Sequence, residues 1–292
     1  MSRTSSSRER VARAKLSPGA PVRATGDEAY SFLATRPLHV LVFVLPLLVV
    51  YEIGSVLYLH DRQRGIMETI GARSLLAQFF ELFGGVSIHL PAILLTIVLV
   101  LWHVFSRDRT RVRPGVIVAM GAESVLWTLP LLILGVLMFQ GAGGSGAPGA
   151  AGVSGTGASG TGFSGAALAG VAQDTLEQMP WQARLTLSIG AGIYEELVFR
   201  LILVTLVHMV IVDVMRLSRI AGVVMAAIVS AIAFAVYHDA AFRGGLQVPM
   251  IAFYAFAGLY FAVLYLLRGF GIVVGTHAFY DVLVLVVIAG SR

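Results

Sequence analysis

The sequence predicts an all-α polytopic membrane protein of about seven transmembrane helices, with its cluster of ionisable residues on the C-terminal four. Three observations predict this. Of 292 residues, 57% are hydrophobic and 13% charged, and the mean hydropathy of +0.85 is far above that of a water-soluble domain of this size. The apolar residues fall in runs long enough to cross a ~30 Å hydrocarbon core. Ionisable side chains inside those runs gather in the second half, where the stretch Gly190 to Val212 carries Glu195, Glu196 and Arg200.

Taken in order, residues 1–37 are a basic tail rich in Ser, Arg and Ala. Pro18, Gly19 and Pro21 break any helix there, and the tail is expected to be disordered. Residues 38–140 form an N-terminal membrane region of three spans: Leu38 to Leu59, with Pro46 and Glu52 inside it, Ser87 to Phe105, and Val116 to Phe139. Between the first two, His60 to Phe83 reads as an amphipathic helix lying at the interface, on Ile66, Ile70, Leu75, Leu76, Phe79 and Phe80. Residues 141–172 are almost all Gly, Ala and Ser, a linker that cannot bury enough apolar surface to fold. Residues 173–292 hold a short amphipathic piece and four more spans, at about 187–212, 220–238, 248–267 and 270–289, the last two joined only by Arg268 and Gly269.

Charge orients the chain. The net charge of +5 comes from Arg, with Lys15 the single lysine. Many of the arginines lie in the N-terminal tail and in the loop carrying Arg107, Arg109, Arg111 and Arg113. That pattern is an orientation signal, not a nucleic-acid surface, and places the N-terminus in the cytoplasm of a multi-pass cell-membrane protein. There is no cysteine, so disulfides and thiolate chemistry are excluded.

A carboxylate at bilayer depth costs several kcal/mol, so each one asks for a function or a partner. Glu196 and Arg200 are four apart and share a helical face as an ion pair, whereas Glu195 projects about 100° away. His238 closes the run Phe234-Ala-Val-Tyr-His238, and His277 is followed four residues on by Asp281. Two histidines and a free carboxylate from three spans suffice to activate water. His208 lies about 220° round the helix from Glu195 and is given no role. Glu52 and Glu123 are expected to pair with polar groups between helices. Helix rise leaves a difficulty of depth: Glu195 and His238 fall toward one side of the membrane, while His277 starts roughly 10 Å in from the other. Tilt, unwinding near Gly190 and Gly192, or a misplaced boundary would bring them together.

Glu195-Glu196-x-x-x-Arg200, Phe234-x-x-x-His238 and His277-x-x-x-Asp281, in that order on separate spans, resemble the CAAX protease and bacteriocin-processing (CPBP) intramembrane proteases, CAAX prenyl protease 2 among them. Gly258-Leu-Tyr and Leu267-Arg268-Gly269-Phe270-Gly271 are similar to that family's approach to its last motif. The resemblance covers roughly the last hundred residues. It implies an endopeptidase acting on membrane peptides or lipidated proteins, with Glu195 as base for water, His238 as its partner, and His277 and Asp281 polarising the scissile carbonyl. Glu196, Arg200 and Phe234 would support the site. The last motif ends in Asp281 where many members have Asn. A carboxylate cannot donate to an oxyanion, so Asp281 is expected to orient His277 or hold a cation. A metal-free glutamate mechanism is favoured, with Zn2+ on Glu195, His238 and His277 as the metalloprotease alternative. A non-catalytic membrane scaffold or immunity protein, and a proton-coupled transporter, are the rival classes.

Overall fold

A computed structural model describes residues 26–61, 66–67, 90–106, 110–140, 179–238 and 248–288. Its helices are α1 (Gly26–Ala34), α2 (Pro37–Tyr58), α3 (Leu90–Phe105), α4 (Pro114–Gln140), α5 (Trp181–Val214), α6 (Arg219–Tyr237), α7 (Val248–Arg268) and α8 (Phe270–Ile288). Six of them, α2 and α4 to α8, are long and apolar enough to cross a membrane; α3 is apolar but has 16 residues. The protein is therefore an all-α polytopic membrane protein of about seven spanning helices. Large apolar side chains such as Val118, Leu137, Ile232 and Leu267 are left exposed on the outside of the bundle, as lipid-facing surface requires.

Local chemistry explains the helix ends. Pro37 and Pro114 open α2 and α4, where the missing N–H is not needed. Ser218 caps α6, its hydroxyl accepting the Ala221 N–H at 3.2 Å. Gly269 stands between α7 and α8 with φ of 85°, a left-handed conformation that reverses the chain in one residue and that other residues resist. The boundary read from sequence at Arg268 and Gly269 is thus a glycine turn.

Two local expectations differ from the structure. Residues 26–34, inside the tail, form α1; the breakers Pro18, Gly19 and Pro21 all precede it. The stretch after α2 begins with a two-residue antiparallel pair, His60–Asp61 with Ile66–Met67, instead of a helix. Its remainder to Phe83, and the Gly/Ala/Ser-rich linker, lie outside the described residues.

α8 is the centre of the bundle, buried along nearly all of Phe270 to Asp281. It packs against α5, α4 and α7; α2 covers α5, and α6 packs on α7 and the second half of α5. Glycines permit the closest approaches. A Cβ at Gly192 of α5 would stand 2.6 Å from the Ala278 backbone nitrogen of α8, and one at Gly258 of α7 would stand 2.9 Å from the Ala231 Cα of α6.

Polar links cross between the two halves. Arg268 forks onto Glu123, Nε to Oε1 at 2.5 Å and Nη2 to Oε2 at 2.7 Å, and its Nη1 donates to Ser31. The same carboxylate accepts Tyr30 and Trp127; burial first, then Glu123, holds the Tyr30 hydroxyl well above the usual tyrosine range. Glu52 of α2 accepts the Tyr194 hydroxyl of α5 at 2.9 Å. Glu52 and Glu123, the carboxylates inside the first-half spans, are therefore paired between helices, as expected.

Candidate active site

α5 delivers two carboxylates in sequence, and their different surroundings follow from their different faces. Glu196 Oε1 forms an ion pair with Arg200 Nη1 at 3.1 Å and accepts a hydrogen bond from His277 Nδ1 at 2.7 Å. Arg200 is fully buried; its Nη2 donates to the Gly258 carbonyl at 3.1 Å, and its guanidinium lies 4.4 Å from the Phe234 ring centroid and 5.3 Å from that of Phe261. A buried guanidinium needs this combination of counter-charge, carbonyl and π faces. From Leu197 to Val204 the turns of α5 widen to five-residue hydrogen bonds, a local irregularity common beside functional residues.

Glu195 is fully buried and neither of its oxygens makes a hydrogen bond. Its Oε2 stands 3.8 Å from His238 Nε2 and 3.8 Å from His277 Nε2. Both rings are held from behind. His238 follows the last turn of α6 and its Nδ1 donates to the Phe234 carbonyl at 2.8 Å. Since a carbonyl only accepts, the neutral ring carries its lone pair on Nε2. His277 Nδ1 donates to Glu196, with the same result. Tyr254 lies against His238 at 4.2 Å between centroids, and Phe261 stacks on His277 at 4.6 Å and 19°.

Asp281 Oδ2 is 3.6 Å from His277 Nε2, and neither Asp281 oxygen makes a hydrogen bond. The hydrogen bond that orients His277 therefore comes from Glu196, a support the sequence assigned to a local ion pair alone. Phe234 supports His238 through its carbonyl as well as its ring, 4.3 Å away. His208 packs at the α6 crossing near Gly222, away from the cluster.

The depth difficulty resolves through helix length. Gly190 and Gly192 remain helical, so no unwinding is involved. α5 has 34 residues, about 51 Å at 1.5 Å per residue. Glu195 lies 19 residues before Val214 and His238 19 residues after Arg219, about 28 Å along each helix from their shared turn. His277 is about 10 Å from the α7–α8 turn. The α5–α6 turn therefore projects about 18 Å past the α7–α8 turn by the same rise, and side chains from Thr205 to Ile220 are mostly exposed.

A cavity lies between α4, α6, α7 and α8, bounded by His238, His277, Asp281, Tyr280, Tyr254 and others, with Leu131 the residue from α4. At about 10 Å³ it has room for about one water centre. Donors 3.8 Å apart stand wider than the roughly 3.4 Å between ligands at tetrahedral zinc. Among the described residues, no group of three or more His, Asp or Glu is placed to hold a metal ion. The zinc alternative thus finds no support in this spacing.

Glu195, His238, His277 and Asp281, read from sequence as one cluster, are brought together. The sequence reading gives Tyr254, Phe261 and Tyr280 no role in the site; an aromatic residue in an apolar run carries no contrast. Residues 177–283, a little over a third of the chain, match the family described as type II CAAX prenyl endopeptidase Rce1-like, in keeping with the CPBP resemblance. No curated protein and no solved structure matches the chain.

Proposed function

We propose that this protein is an intramembrane endopeptidase that hydrolyses a peptide bond in a membrane-bound peptide or lipidated protein, with water activated by Glu195. The observation that carries the proposal is the placing of the fully buried Glu195 Oε2 3.8 Å from both histidine Nε2 atoms. A bridging water there donates one proton to Glu195 and the other to His238 Nε2, leaving an oxygen lone pair for attack. Glu195 takes the first proton as the new C–O bond forms, and returns it to the leaving amine as the C–N bond breaks. His277, when it carries a second proton, donates from Nε2 to the carbonyl oxygen, with Glu196 and Asp281 beside it as counter-charges. Glu196 and Arg200 position His277, and the mechanism is metal-free. Arg36, Arg111, Arg113, Arg216, Arg219 and Arg268 lie at one end of the helices and Arg184 at the other, which supports a cytoplasmic basic end.

The test is cleavage of a membrane-tethered peptide library by the purified protein in lipid discs. Glu195→Gln and His238→Ala are expected to fold and to lose at least about 100-fold in turnover, in the range of general-base loss. Turnover is expected to survive chelation; loss on chelation with recovery on added zinc would overturn the metal-free mechanism. Undiminished turnover by Glu195→Gln would remove the proposed base.

A further inference from the structure

The proposed hydrolysis develops negative charge on the scissile carbonyl oxygen, and that charge needs hydrogen-bond donors already in place. Beyond a second proton on His277, the site is rich in acceptors instead. Glu195 and Asp281 are carboxylates and only accept when ionised. Each histidine has committed one N–H, His238 to the Phe234 carbonyl and His277 to Glu196. Arg200 pairs with Glu196, donates Nη2 to the Gly258 carbonyl, and does not line the cavity. The last motif aggravates the shortage, because Asp281 stands where an amide could have donated.

Tyr280 lines the same cavity as His238, His277 and Asp281. It is 4% exposed, and its hydroxyl makes no hydrogen bond. On α8 it follows His277 by three residues, so the two share a face. A buried hydroxyl without a partner is destabilising, and a bound carbonyl oxygen would relieve it. We infer that the Tyr280 hydroxyl donates to the oxyanion, which makes Tyr280 a further catalytic residue of the peptidase function proposed above. When water oxygen bonds to the carbonyl carbon, the C=O π pair moves onto oxygen, and Tyr280 donates to it without losing its proton. When the pair returns, the C–N bond breaks and that hydrogen bond weakens. The tyrosine thus favours the transition state over the ground state, and its removal acts on kcat more than on KM.

The experiment measures kcat and KM in lipid discs for the native chain, Tyr280→Phe, Asp281→Asn, and the double variant. Phenylalanine keeps the ring and removes one oxygen. Tyr280→Phe is expected to lower kcat about 100-fold, the usual effect of one lost oxyanion donor, with KM within about twofold and an unchanged melting temperature. Asp281→Asn restores a donor beside the same carbonyl, so the double variant is expected to recover about tenfold in kcat over Tyr280→Phe. A merely packing role predicts neither the kcat-only loss nor that recovery. Undiminished kcat in Tyr280→Phe, while Glu195→Gln is inactive, would overturn the role of Tyr280 and leave the peptidase function standing. Cleavage that does not depend on Glu195 would overturn both.

Discussion

Gly192 on α5 faces Ala278 on α8 so closely that a Cβ would stand 2.6 Å from the Ala278 nitrogen and 2.9 Å from its Cα. The obstacle is backbone, which cannot swing aside. Gly192→Ala is therefore expected to push α5 from α8, costing about 1–3 kcal/mol as overpacking does and loosening the 2.7 Å link between Glu196 and His277. Thermal unfolding in detergent and peptide turnover would both fall. Gly121 of α4, whose Cβ would meet only Phe43 at 3.9 Å, supplies the contrast: Gly121→Ala is expected to be neutral or stabilising by up to about 1 kcal/mol.

Glu196 pairs with Arg200 on its own helix and accepts a hydrogen bond from His277 on α8. Glu196→Gln leaves a buried guanidinium without its counter-charge, and a loss of about 3–5 kcal/mol is expected. Arg200→Lys is expected to be no rescue for the site, since an ammonium cannot span Glu196 and the Gly258 carbonyl as the planar fork does. Denaturation of the single variants in detergent checks both statements.

The Arg268 and Glu123 pair joins the segment that matches a known family to the half that does not. It is partly exposed, side chains 20% and 15%, so the attraction is screened and a coupling near 1 kcal/mol is expected. A double-mutant cycle on Glu123→Gln and Arg268→Gln measures it. Additive losses would mean that Tyr30, Trp127 and Ser31 hold the junction without the ion pair.

Leu131 brings α4 to the wall of the cavity and is fully buried. Leu131→Ala is expected to cost about 2–5 kcal/mol in stability and to broaden cleavage toward bulkier side chains beside the scissile bond. Leu131→Phe should narrow it. Relative kcat/KM across the peptide library is the measurement, and an unchanged profile in both variants would take Leu131 out of substrate selection.

The spans were legible because lipid demands long apolar runs and water-filled loops do not. Glu195, His238, His277 and Asp281 were legible for the complementary reason: ionisable groups stand out in such runs. The bond between Glu196 and His277 was not, because 81 residues separate them and Arg200 offered a sufficient local partner. Phe261 under His277 and Tyr254 against His238 were hidden among other aromatic residues. The common depth of Glu195 and His277 is hidden in the length of α5, which begins at Trp181, six residues before the expected start.

A space for a single water beside His238 and His277 admits no peptide, so in the proposed peptidase α4, α6, α7 and α8 must part before a chain is cut. Helices embedded in lipid separate against their neighbours in the bilayer, whose thickness and viscosity then enter the rate. For such an enzyme, the ceiling on turnover is set by the fluidity of the surrounding membrane as much as by the acid at its centre.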